Sequence, residues 1–167
     1  RNEAGELLRF VGLVEDITER KRAELDLQST KEHLQYLLTA SPAVIFSSQI
    51  EGDYSATFMS ENASTILGYD AENFIHNAQF WWERVHPEDR AVMNEVIPQL
   101  FAQGLYTYEY RFQHGDGTYH WLTTQLRLIR DETGTPIECV GYLIDITERK
   151  QAEDALRYSE QLYRTMA

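Results

Sequence analysis

The sequence predicts an α+β domain: two strands, a helical crossover, three further strands and an exit helix. Three observations carry this reading. A stretch near the start of the chain recurs near its end. Strand-like runs fall in two groups, 43–49 with 56–60, and 105–113 with 118–130 and 136–145. The segment between the groups is punctuated by helix starts and by the glycine stops Gly68 and Gly104.

The recurring stretch sets the organisation. Residues 5–38 and 134–167 align without a gap at an offset of 129, with 12 of 34 positions identical. Its core is Val11-Gly12 and Asp16-Ile17-Thr18-Glu19-Arg20-Lys21 against Val140-Gly141 and Asp145-Ile146-Thr147-Glu148-Arg149-Lys150. A shared helix start accounts for the Asp-Ile-Thr block but not for the Val-Gly pair before it. A period of 129 is too long for a solenoid repeat of about 20–50 residues. It fits one domain plus a linker, so the two stretches are expected to fold alike.

Each element has a local cause. Residues 7–15 read as a strand whose sheet lies upstream. Residues 17–40 read as a helix capped by Asp16 or Thr18, with Glu19 completing a capping box on Asp16. Ala23, Leu27, Thr30, Leu34 and Leu37 alternate steps of four and three, the seam of a short coiled coil. Such a stripe suits a dimer contact or a helix laid on its own sheet. Ser41-Pro42 ends the helix, because the residue before proline avoids the α region. Glu51-Gly52-Asp53 turns between the first two strands, and a short helix over 60–67 closes at Gly68. A helical piece at about 70–75 and the aromatic run Phe80-Trp81-Trp82 follow. His86-Pro87-Glu88-Asp89-Arg90 then opens a helix to about Gln103, with Pro87 in its first turn. Tyr106, Tyr108, Tyr110 and Phe112 share one face of 105–113, and His114-Gly115-Asp116-Gly117 is a hairpin turn. On 118–130, Trp121 lies on one face and Leu122, Leu126 and Leu128 on the other; the pattern leaves open which face is inward. Strand 137–146 is apolar on both faces, so both must be covered, one by the crossover helices and the other by the 17–40 helix or a second copy of the chain.

Composition excludes several classes. A net charge of −12 opposes nucleic-acid binding, since phosphates are repelled. No run of about 18 apolar residues exists, so no membrane insertion is expected in this segment. The single Cys139 cannot form an internal disulfide, and a reducing cytoplasm is the expected location. With no signal-peptide pattern after Arg1, the chain reads as a piece of a longer protein.

These motifs together resemble the PAS sensor-domain family with its C-terminal PAC portion. The resemblance rests on Ser60-Glu61-Asn62 with Ile66-Leu67-Gly68-Tyr69, on Trp82 with Val85-His86-Pro87-Glu88-Asp89-Arg90, on Tyr110-Arg111-Phe112 with Asp116-Gly117 and Trp121, and on Val140-Gly141 with Asp145 to Lys150. It implies a five-stranded antiparallel sheet in the order 2-1-5-4-3, helices on one face over a small cavity, and flanking N- and C-terminal linker helices. Residues 1–16 are then the final strand of a preceding module, 17–40 an amphipathic linker helix, 41–146 the PAS core with its PAC portion, and 147–167 the exit helix toward a following domain. Asp145, Ile146 and Thr147 become the signal relay into that helix.

No catalytic site is expected: histidines 33, 76, 86, 114 and 120 lack tight ligand spacing, and no kinase phosphoacceptor box, ATP-binding box or cyclase motif is present. No metal site is expected either. Flavin relatives use a helical Asn-Cys-Arg-Phe-Leu-Gln motif that is missing, and Cys139 lies on a strand, so flavin is not expected. Heme is not expected, although His76 and His86 have the rough location of a ligand; capping accounts for His86. Phe46, Phe58, Trp81, Trp82, Tyr108, Tyr110 and Trp121 read either as core or as a small aromatic pocket for an unidentified ligand. The resulting reading is a sensory PAS module of a multidomain sensor histidine kinase in a two-component phosphorelay. It relays change through its flanking helices as a homodimer beside neighbouring PAS modules and an output domain. A diguanylate cyclase output and a ligand-free spacer are the alternatives.

Overall fold

The computed structural model describes residues 3–166, with 3–16 described by backbone alone. The chain divides into two units, one through Leu37 and one from Leu38. The first is formed by helix α1 (Glu3–Ala40), whose last turn reaches into the second. No helix among the described residues is long and apolar enough to cross a membrane.

Helix α1 corrects two expectations. Residues 7–15 are helical, not a strand, and Asp16 and Thr18 lie inside the helix rather than capping it. A strand leaves its N–H and C=O groups waiting for a neighbour, whereas a helix satisfies them within itself. No strand pairs with 7–15, so the helix propagates through it. The two matching stretches therefore differ over their first parts, helix at 5–15 and strand at 136–144, and agree over their second parts.

The second unit contains β1 (Ala43–Ser48), β2 (Ala56–Met59), α2 (Ala63–Ile66), a 3-10 turn, α3 (Ala78–Arg84), α4 (Arg90–Gln103), β3 (Leu105–Gln113), β4 (Tyr119–Arg130), β5 (Pro136–Asp145) and α5 (Thr147–Met166). The strands form one antiparallel sheet in the order β2-β1-β5-β4-β3, the order the resemblance implied. Alternation puts Val44, Tyr110, Phe112, Leu122 and Leu143 on the inner face, where they pack with Ala63, Leu67, Phe74 and Val85. A second cluster places Val96 and Leu100 of α4 on Leu126, Leu128 and Cys139. This resolves the parity of β4: Leu122, Leu126 and Leu128 face inward and Trp121 outward.

Buried polar groups fasten the strand ends. Ser60 Oγ accepts from the Ile45 N–H at 2.9 Å and donates to Asn62 Oδ1 at 2.6 Å. Asn62 Nδ2 donates to the carbonyls of Ser41 and Ala43 at 3.0 and 2.9 Å. The chain's entry into β1 is thus tied to the start of α2.

The His86–Arg90 motif has a comparable role. His86 Nδ1 accepts from the Glu88 N–H at 3.3 Å, a cap on a 3-10 turn over Pro87–Asp89, and α4 begins only at Arg90. Asp89 then reaches across to β3. Its Oδ2 accepts from the backbone N–H and Nε of Arg111 at 2.7 and 3.0 Å, and its Oδ1 from the same guanidinium at 2.7 Å. Gly104, at φ +73°, donates to the Leu100 carbonyl at 2.7 Å and ends α4. One glycine contact is obligatory: the Gly115 N–H donates to Leu67 O at 2.9 Å, and a Cβ there would lie 2.2 Å from Gly68 O. This pins the β3–β4 hairpin on the end of α2.

Two outcomes follow. Asn62→Ala removes donors from two carbonyls and is expected to lower unfolding stability by about 2 kcal/mol in a urea melt. The Arg111 donors hold the Asp89 carboxyl below its usual range, against the opposing effect of burial. Its stabilisation is therefore complete above the unfolded carboxylate value of about 4 and fades as pH falls through the lower folded value. Asp89→Asn is expected to cost about 2 kcal/mol at pH 7, and the gap to the native protein to narrow in melts below pH ~4.

Candidate functional site

Between the two core clusters the inner face opens into a cavity of about 650 Å³. Ser48, Tyr108, Leu126, Cys139 and Leu143 of the sheet form its floor, and Trp81, Met93, Val96 and Leu100 of α3 and α4 its roof. Gln49, Asp53, Asn77 and Gln79 supply polar atoms. Gly141 makes room in this floor: a Cβ would meet Phe46 Cζ and the Gln125 carbonyl at 2.8 Å each.

The lining is chemically one-sided. Burial pushes the Tyr108 phenol up, as does the neighbouring Cys139, and burial pushes the Cys139 thiol up, so both stay uncharged. Among the described residues, Asp53 is the only acidic or basic side chain lining the cavity. Hydrogen bonds from Ser55 hold its carboxyl below the ordinary range. No lysine, arginine or histidine among the described residues lines the space. An anionic ligand would enter without a counter-charge, whereas a neutral, largely apolar one matches the walls.

Of the seven candidate pocket residues, Phe46, Trp81, Trp82 and Tyr108 line the cavity. Tyr110 is fully buried beneath it, stacked 5.3 Å from Tyr108 and hydrogen-bonded to Thr124 Oγ1 at 3.1 Å. Phe58 and Trp121 do not belong to it. Strand alternation sends Phe58 to the outer face because Met59 takes the inner position opposite Phe46. Trp121 likewise lies outside, under Lys150 at 4.9 Å and Arg111 at 5.5 Å. Neither His76 nor His86 lines the space: His76 is exposed, and the His86 ring packs on Tyr119.

Where β5 ends, the exit helix is bolted to the sheet. Asp145 Oδ1 accepts from the Thr147 N–H at 2.8 Å, a cap on α5. The Ile146 N–H donates to Trp121 O at 2.8 Å, and the Trp121 N–H to Thr147 Oγ1 at 2.9 Å. Glu109 of β3 pairs with Lys150 at 2.5 Å and Arg149 at 2.6 Å. His120 Nδ1 meets Asp145 Oδ2 at 2.6 Å. The structure thus gathers Asp145, Ile146 and Thr147 at one joint. It adds Glu109, His120 and Trp121, which the sequence reading did not assign there. The Arg149-Lys150 pair in the first turn of α5 was the available signal for an acidic partner on the sheet.

Cavity and joint share strands. Tyr108 faces the cavity and Glu109, next in sequence, the joint; Leu143 lies on the floor and Asp145 two residues on caps the helix. A strand displaced from inside carries its outward neighbours with it. Thr147→Val keeps the shape but strips the acceptor from the Trp121 N–H. It is expected to cost about 1 kcal/mol and to speed hydrogen exchange at Trp121 and through 146–150, read by mass spectrometry.

The seam residues Ala23, Leu27, Thr30, Leu34 and Leu37 lie on α1, with Leu27, Leu34 and Leu37 exposed.

Comparison with known proteins follows the same lines. The family model described as PAS fold matches residues 56–143. The two-component sensor PprA of Pseudomonas aeruginosa is 34% identical over 97% of this chain, which spans 18% of that relative. The probable diguanylate cyclase DgcE of Escherichia coli is 30% identical over 99% of this chain, which spans 15% of it. Among solved structures, a sensory box histidine kinase/response regulator from Burkholderia thailandensis E264 superposes with a TM-score of 0.62 at 25% identity, over 79% of this chain and 98% of that one. The sheet order, the crossover helices on one face, the cavity beneath them and the matched residues agree: the chain belongs to the PAS family.

Proposed function

We propose that this PAS domain is the sensing and relaying module of a multidomain sensor histidine kinase, on the cytoplasmic side. The observation that carries the reading is the sharing of strands between cavity and joint: β3 and β5 present Tyr108 and Leu143 to the cavity and Glu109 and Asp145 to the start of α5. A ligand that displaces the floor works directly on the cap and ion pairs of the exit helix. The two-component sensor among the relatives supports a kinase output, and the diguanylate cyclase keeps the alternative output open. The ligand is a neutral, mostly apolar small molecule, because the lining holds no cation to match a phosphate or carboxylate.

The flanking helices are the dimer contacts in this reading. Leu27, Leu34 and Leu37 are exposed on α1, and so are Leu156, Tyr163 and Met166, which stand at the same offset of 129 on α5. Leu27→Asp with Leu34→Asp is expected to shift sedimentation from dimer to monomer. A chain that is monomeric at high concentration would defeat the dimer, and dimers that ignore both substitutions would remove the α1 seam.

The sensing part is tested by native mass spectrometry of the purified chain. A copurifying neutral molecule is expected, with occupancy lost in Val96→Phe, which fills the roof. A cavity that stays empty across a small-molecule library would favour the ligand-free spacer instead.

A further inference from the structure

The β3–β4 hairpin assembles a further group of side chains, one of which, His120, also meets Asp145 at the joint. His114, Asp116 and His120 bring ligating atoms within 4.8 Å of one another. His114 Nδ1 lies 3.2 Å from Asp116 Oδ1, and His120 Nε2 lies 3.9 Å from Asp116 Oδ2. The two imidazoles stack with centroids 4.5 Å apart and planes within 14°. From sequence these were one turn histidine and one strand histidine with no ligand spacing.

We propose that His114, Asp116 and His120 form a zinc site, with water in the fourth position. Three features carry it. The donor set, two imidazoles and one carboxylate, suits a borderline divalent ion, and tetrahedral zinc needs its donors about 3.3 Å apart. Two of the spacings already approach that value, and closing on an ion takes side-chain rotation that releases the Asp116 N–H, which now donates to His114 Nδ1 at 3.1 Å.

The backbone that presents them is fixed. Gly115 is pressed on Gly68, the His114 N–H donates to Thr118 O at 2.8 Å, and Gly117 at φ +89° closes the turn.

The third feature is the far side of His120. The Asp145 carboxylate can only accept, so at 2.6 Å it takes the Nδ1 proton and leaves the Nε2 lone pair aimed at the cluster. A carboxylate behind a ligating histidine orients the ring and raises its basicity. Near the ion position, Thr118 Oγ1 lies 2.7 Å from Asp116 Oδ1 and 3.1 Å from His120 Nε2. One hydroxyl proton serves one acceptor at a time. A dication satisfies both. Magnesium and calcium, which require oxygen donors, do not fit two imidazoles. Because Asp145 also caps α5, the ion would brace the hairpin to the start of the exit helix. None of the three ligands lines the cavity, so zinc binding can be measured without the cavity ligand.

The test is titration of the tag-free chain with zinc by calorimetry, backed by the visible spectrum of the cobalt(II) form. The expected result is one ion per chain, intense tetrahedral cobalt bands and a raised melting temperature. His114→Gln and His120→Gln are each expected to weaken binding at least tenfold, and Asp145→Asn, behind His120, about tenfold. His33→Gln, on the exposed face of α1, is expected to change nothing. Metal-free melts identify which variants remain folded, and His114→Gln, outside the Asp145 contact, serves if His120→Gln does not. No binding tighter than about 100 µM, or equal affinity in native protein and folded His114→Gln, overturns the site.

Discussion

Strand β5 lies between β1 and β4 and pairs on both edges, from Ile144 opposite Ala43 to Glu138 opposite Ile129. No residue of this strand can turn over without moving two ladders, so its two faces are committed. Cys139, Gly141 and Leu143 belong to the cavity side. Val140, Tyr142 and Ile144 belong to the other. Alternation along a strand is the shortest mechanical path between two faces of a sheet, and β3 follows it from Tyr108 to Glu109.

The polar fastenings show how a small domain holds a cavity of this size. A cavity forfeits the contacts its walls would otherwise make. Around this one, specific hydrogen bonds replace lost packing at the corners: Ser60 and Asn62 where the chain enters β1, Asp89 and Arg111 where α4 begins, and Trp121 with Thr147 where α5 leaves. The entry and exit corners lie on neighbouring strands, since Ala43 pairs with Ile144. The chain therefore enters β1 and leaves β5 at the same end of the sheet.

The repeated stretch gives an internal control on the physics. Val140-Gly141 lies in a strand and Val11-Gly12 in a helix, although the residues are the same. What differs is the neighbour. Phe46 covers Gly141 and two ladders take up the backbone of β5, whereas no described strand pairs with residues 5–15. Strand formation here is a property of the sheet, and helix formation of the segment alone. The following Asp-Ile-Thr-Glu-Arg-Lys block is helical or helix-starting in both places, because its tendencies are local.

Much was legible from residues alone. The five strands of the second unit, the glycine stops at Gly68 and Gly104, the hairpin at Gly115–Gly117, the role of His86 as a cap and the family itself follow from alternation, turn chemistry and motif order, all local properties. Tertiary structure decided the rest. It set Trp121 and Phe58 on the outer face, left Tyr110 under the cavity rather than in it, paired Glu109 with the basic residues after Thr147, and brought His114 to His120. These depend on which ladder register a strand takes and on what lies across the sheet. An aromatic residue at alternating spacing fits either face equally well until its neighbours choose one.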